Sequence, residues 1–185
     1  EKGLMVLDIT AHGKAGHAAR DEGDNAIYHA LDDMQWFRTK EWERVSPLLG
    51  KVKTTVTIVN SGTQHNVIPD QCTFTVDVRS NELYSNQELF QLICQEVKSE
   101  VKARSFRLNS SSISTSHPIV QALTAMGKKP FGSPTLSDQA LMPFPSLKMG
   151  PGESNRSHTA DEYILRSEIA DAISTYTSLL QNLVL

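Results

Sequence analysis

The sequence predicts an α+β protein. A ferredoxin-like βαββαβ domain occupies residues 1–115, and residues 116–185 read as the C-terminal portion of a larger α/β domain. Three observations carry this. Apolar residues switch between a period of two and a helical period in the order β-α-β-β-α-β. A tract of Ser and Asn over residues 109–116 then breaks the pattern, as a strand end running into a linker does. Beyond it come Pro/Gly-rich loops and one strongly amphipathic helix, too thin a set to build a core of its own.

The elements follow in order. Residues 4–10 are rich in β-branched and apolar side chains and predict a short strand. Ile27, Ala30, Leu31, Met34 and Phe37 recur at helical spacing, with Asp24 placed to cap the helix. Val52, Thr54, Val56 and Ile58 alternate in a second strand, and Phe74, Val76 and Val78 in a third. On that third strand Thr75, Asp77 and Arg79 take the opposite face. Ser85-Asn86-Gln87-Glu88 is a capping box, in which Ser and Glu satisfy each other's orphan N–H groups. The helix it opens places Leu89, Leu92, Ile93 and Val97 on one face, and Phe106 and Leu108 mark a fourth strand. After the break, residues 117–126 read as a helix and residues 137–142 as a short one. Ile169, Ala172, Ile173, Tyr176, Leu180 and Leu183 form an apolar helical stripe that must pack on something.

Composition excludes several function classes. With 18 Lys+Arg against 21 Asp+Glu, the net charge is -3, which does not suit a nucleic-acid module that works through clustered cations. No apolar run approaches the roughly 20 residues of a membrane helix. Residues 1–6 lack the regions of a signal peptide and there is no initiator Met, so we expect the chain to start inside a longer parent protein. Cys72 and Cys94 both sit in apolar-patterned segments. Two reduced core thiols are expected, and with them a cytoplasmic location.

Four local patterns can carry chemistry. Gly13-Lys14-Ala15-Gly16-His17 follows the first strand. It presents a His able to donate to a developing oxyanion, or simply an exposed loop His. Asn66-Val67-Ile68-Pro69 lies between two strands. It offers an amide to a substrate carbonyl or carboxylate, or only the dihedrals of a long hairpin connection. In Asp77-Val78-Arg79, the Arg79 fork suits a carboxylate, or a cross-strand ion pair. The fourth pattern runs from Gly150-Pro151-Gly152 to His158-Thr159-Ala160-Asp161-Glu162. There His158 can bind a metal through one ring nitrogen, while Asp161 and Glu162 suit the start of the next helix. The six His and two Cys form no cluster of the three or four ligands a zinc site needs.

Taken together and in this order, these patterns resemble the acetylornithine deacetylase / succinyl-diaminopimelate desuccinylase / carboxypeptidase G family of zinc-dependent amidohydrolases. In that family a ferredoxin-like lid is inserted into an α/β catalytic domain. The G-x-x-x-H loop matches at Gly13 to His17, N-x-I-P at Asn66 to Pro69, D-x-R at Asp77 to Arg79, and G-P…H-x-x-(D/N)-E at Gly150 to Glu162. The Ser-His-Thr-Ala-Asp-Glu-Tyr-Ile ending is most similar to the acetylornithine deacetylase branch.

The resemblance implies a role for each position. His17 is the lid histidine that crosses a dimer and stabilises the tetrahedral oxyanion. Asn66 and Arg79 hold the substrate carboxylate, with Asp138 of Ser137-Asp138-Gln139 as a looser match to a substrate loop. His158 ligates one zinc, or cobalt in its place, of the one or two ions in the parent. The family's remaining ligands and its general-base Glu lie upstream of the lid and are not in this sequence. Asp21 stands near where many relatives have Pro, which changes the loop after His17. The implied activity is deacylation of an N-acyl amino acid of the N-acetylornithine or N-succinylornithine type, in arginine biosynthesis. The fragment itself is expected to be inactive. The alternative is a non-catalytic ferredoxin-like dimerisation or amino-acid-binding module. The expected partner is a second copy. Residues 52–59 should form the contact, being an edge strand with one charge and no Pro, with Trp36 and Phe37 adding apolar area beside it.

Overall fold

The computed structural model describes residues 1–182, so Leu183 lies outside the described residues. The elements are β1 (Met5–His12), β2 (Gly16–His17), α1 (Ala26–Thr39), β3 (Lys53–Ser61), β4 (Val67–Ile68), β5 (Gln71–Arg79), α2 (Asn86–Glu96), β6 (Glu100–Ala103), α3 (Pro118–Ala125) and α4 (Arg166–Asn182). Short 3₁₀ turns occupy Asp138–Leu141 and Ser154–Arg156. The chain divides into two units. The first holds residues 1–111 and 132–143, the second residues 112–131 and 144–185. No helix among the described residues is long and apolar enough to cross a membrane.

The first unit is the α+β domain. Its sheet runs β3-β5-β1-β6, and each neighbouring pair is antiparallel. That order is what two interleaved β-α-β units produce when both helices lie on one face. Strict alternation puts Met5, Leu7, Ile9 and Ala11 of β1 and Cys72, Phe74, Val76 and Val78 of β5 against the helices, all nearly solvent-free. Ala26, Ala30 and Phe37 of α1 and Leu89 and Ile93 of α2 complete that core. The other face is polar, with Asp8, Thr75, Asp77 and Arg79 along the two central strands.

Several expectations meet differences here. Asn25, one residue after the expected Asp24, caps α1 through its side chain, while the Asp24 carboxylate takes the His29 ring at 2.7 Å. Ser85 caps α2 by accepting from Glu88 N–H. The reciprocal half of the box is replaced by an Arg44–Glu88 ion pair. The fourth strand is Glu100–Ala103, not Phe106 and Leu108. Phe106 lies beyond the ladder and stays largely exposed, with its ring edge-on against Phe90 at 5.1 Å. The alternation in β3 fails after Val56, where a bulge inserts Thr57 and leaves Ile58 and Val59 half-exposed. Phe37 is core, and Trp36 packs edge-on against it at 4.9 Å. The exposed apolar side chains of α1 are instead Tyr28 and Leu31. Cys72 is buried as expected, but Cys94 is exposed on α2.

In the second unit α3 packs on α4, burying Val120, Leu123 and Leu179. The expected α4 stripe does not make this contact. Ile169, Ile173 and Leu180 are exposed, because α3 meets the Thr175/Leu179 side of the helix.

Candidate functional site

The loop bearing His17 is shaped by two glycines. A Cβ on Gly13 would stand 2.2 Å from the Asp24 carbonyl oxygen, and one on Gly16 would stand 2.9 Å from Gly23 Cα. Only glycine allows the two arms of the 13–24 excursion to close to this degree. The closure lets β2 pair with β4, with His17 opposite Val67. Ala18 N–H then donates to the Asn66 carbonyl at 2.9 Å. His17 and Asn66, far apart in sequence, become neighbours on one exposed two-stranded ribbon. The His17 Nδ1 accepts from Ala19 N–H at 3.1 Å. In the neutral ring that bond leaves the proton on Nε2, so Nε2–H is the outward donor. Among the described residues the Asn66 side-chain amide has no hydrogen-bond partner.

Arg79 is elsewhere. It ends β5, eight positions beyond Gln71 at the ribbon end. At the rise of a strand that is about 25 Å. Its Nε and one Nη donate to the two Asp77 carboxylate oxygens at 2.7 and 3.0 Å. The ion pair therefore runs along one strand and not across two. It uses one edge of the guanidinium and leaves the end fork free to meet another carboxylate. Lys53 pairs with Arg79 and Thr55 with Asp77 across β3 and β5. With Lys2, Thr57 and Pro134 these residues line an open recess of ≈ 340 Å³. Neither lysine was expected at the site from the sequence. Burial, and then Lys53 beside it, lowers the pKa of the Lys2 ammonium.

Asp138 stands exposed in its 3₁₀ turn, capped by Ser137. Ser137 donates to the Glu1 carboxylate, and Gly3 N–H donates to the Ser80 carbonyl. These bonds carry Asp138 to the Arg79 end of the sheet without a direct contact. The structure thus joins His17 with Asn66 and draws Asp138 toward Arg79. It does not join Asn66 with Arg79 within one chain.

His158 belongs to the second unit. It is exposed, with φ at 62°, a left-handed backbone that is uncommon outside glycine. Its N–H donates to Glu162 at 3.0 Å, which accounts for the His-x-x-x-Glu spacing as a local clasp. Among the described residues its ring has no partner, and no group of three His, Cys, Asp or Glu is placed to hold a metal ion. His158 fits the part of one ligand only.

The loop that carries His158 is pinned to α4. Arg156 donates to both Glu168 oxygens at 2.8 Å, Leu165 N–H donates to Glu168 at 2.8 Å, and Arg156 lies over the Tyr163 ring. The Arg156 bonds, then the Leu165 amide, hold the Glu168 carboxyl below its ordinary range. A carboxylate with a depressed folded pKa contributes stability above its unfolded pKa and loses it as pH falls through the folded value. We therefore expect residues 153–165 to stay protected from amide exchange across about pH 5 to 8 and to loosen only in stronger acid. Glu168→Gln should loosen them already at neutral pH. Equal exchange in both proteins at neutral pH would contradict the pin.

The whole chain is similar to larger enzymes. A LysW-lysine/LysW-ornithine hydrolase of Sulfurisphaera tokodaii is 22% identical over 100% of this chain, which spans 54% of that relative. The chain thus spans about half the length of the curated relatives it matches. Among solved structures, the aminopeptidase PepT of Bacillus cereus covers 97% of this chain with a TM-score of 0.68 at 17% identity, over 52% of its own length. The M20 family metallo-carboxypeptidase Sso-CP2 of Sulfolobus solfataricus covers 97% with a TM-score of 0.62 at 15% identity, over 58% of its own length. These structures share the fold of the sheet and its two helices. The model of the M20 peptidase dimerisation domain matches residues 1–105, the span of the four-stranded sheet with α1 and α2, and the chain belongs to that family.

Proposed function

We propose that this chain is the lid and C-terminal part of a zinc-dependent hydrolase that removes the acyl group from an N-acyl amino acid of the ornithine or lysine type. The name of the Sulfurisphaera relative supports that amino-acid class. The observation that carries the reading is the separation of the two functional ends of the lid. His17 and Asn66 form one cluster, and Arg79 with Asp77 forms another about 25 Å along β5. An N-acyl amino acid is far shorter than that. One chain cannot present both clusters to one substrate molecule, but two chains related by a two-fold axis can. In each site the Arg79 fork grips the substrate carboxylate, oriented by Asp77, with Asp138 beside it. The partner copy brings the Nε2–H of its His17 to the oxyanion and the amide of its Asn66 to the substrate carbonyl. Zinc, held in part by His158, supplies when bound a water made nucleophilic near neutral pH. The remaining ligands and the base come from outside this chain.

The dimer contact in this reading is the edge strand over residues 52–59. β3 ends the sheet, carries one charge at Lys53, and exposes Ile58 and Val59. The dimerisation-domain family supports a second copy as the occupant.

The test is turnover by a protein of the relatives' length containing this chain, with zinc, against N-acetylornithine, N-succinylornithine, N-acetyllysine and N-succinyl-diaminopimelate. The expected result is metal-dependent release of one free amino acid, while the 185-residue chain alone releases none. Metal-independent turnover would contradict the zinc-dependent reading, and cleavage of none of the four would favour a non-catalytic binding module.

A further inference from the structure

The recess beside Arg79 holds more positive charge than one carboxylate needs. Asp77 is already bound to Arg79 on two bonds. Lys53 sits directly across the ladder from Arg79 and makes no ion pair among the described residues. Directly opposed strand residues have their side-chain roots about 5 Å apart, and like charges there repel. Lys2, the third cation of the recess, anchors its ammonium on the Lys51 carbonyl at 2.5 Å, which neutralises nothing. Its depressed basicity, caused by burial and by Lys53, agrees with an uncompensated cluster. Thr55 shares the lining, opposite Asp77, with its hydroxyl unpaired among the described residues. Counting the lining side chains, two ammonium groups remain after Asp77 is set against Arg79.

We propose that this recess takes a second anionic group, so that the ligand held at Arg79 is a dicarboxylate, and that Lys53 selects for it. The proposal rests on the reading of Arg79 as the substrate clamp. It narrows the substrate class to N-acyl amino acids that carry two carboxylates, whether the second is on the acyl chain or on the amino acid. One carboxylate meets the end fork of Arg79. The other meets Lys53 and Lys2, with Thr55 donating.

The experiment is an amide-resolved titration of the 185-residue chain with succinate and with acetate at fixed ionic strength. Succinate is expected to bind about fivefold or more tightly than acetate, with saturable shifts at residues 53, 55, 77 and 79. Lys53→Gln should bring succinate down to the acetate level, and Lys53→Arg should keep the preference. Arg79→Gln should remove both titrations. If Arg79→Gln abolishes binding but the succinate preference ignores Lys53→Gln, the clamp stands and this proposal falls. If Arg79→Gln changes neither titration, both fall. Equal affinity for the two acids in the unaltered chain overturns the proposal outright.

Discussion

Replacing His17 with alanine, in a protein of the relatives' length that contains this chain, should lower kcat by about 10²–10³ while KM changes by less than about threefold. The Ala19 amide occupies Nδ1 and so presents Nε2–H outward. A neutral donor of that kind gains strength as the carbonyl oxygen becomes an oxyanion. Its loss appears in the chemical step, worth about 3–4 kcal/mol in comparable oxyanion holes. Arg79→Ala should do the reverse. A carboxylate grip exists before the reaction begins, so KM rises and kcat moves less. Stopped-assay kinetics on both variants separate the two roles. Parental kcat in His17→Ala would remove His17 from the oxyanion.

Placing an arginine at Val59 should raise the dimer dissociation constant by about 30-fold or more. Val59 is half-exposed on the outermost strand, just past the bulge that also turns Ile58 outward. In a two-fold contact each substitution appears twice and faces its own copy, so the charges repel near the axis. Tyr28 and Leu31 on α1, which packs against β3, supply exposed apolar area next to that edge. Sedimentation velocity over a concentration series measures the effect. A parent that is monomeric at tens of micromolar, or a dimer indifferent to Val59→Arg and Ile58→Arg, would place the contact elsewhere.

How much of this was legible in the sequence depended on periodicity. The central strands β1 and β5 alternate strictly and one face of each is buried, so their pattern reads directly. Ser85 announces α2. β6 is four residues long and offers only Val101 and Ala103 to the core, a weaker signal than the aromatic Phe106 nearby. β2 and β4 have two residues each, and no period exists in two residues. The His17 and Asn66 loops were visible as motifs, yet their pairing follows from the close approach at Gly13 and Gly16, which sequence spacing does not encode. The Asp77–Arg79 contact was half-readable. Two residues apart on one strand means one face, but a neighbour across the sheet competes for the same arginine. Lys2 and Lys53 converge only because β3 is laid beside β5 in a particular register, and the α4 stripe showed an apolar face without showing what meets it.

The central claim is that one site is built from two chains, with Arg79 from one and His17 from the other. Subunit complementation tests it most directly. His17→Ala and Arg79→Ala variants are mixed, dissociated and reassociated, and kcat/KM is read at low substrate. In the mixed dimer one site keeps both groups and the other loses both. The account predicts recovery to about a quarter of the parental activity, since about half the dimers are mixed and each has one intact site. Activity no higher than the average of the two variants alone, in a sample where mixed dimers are shown to form, would mean that both groups serve a site within one chain and would contradict the account.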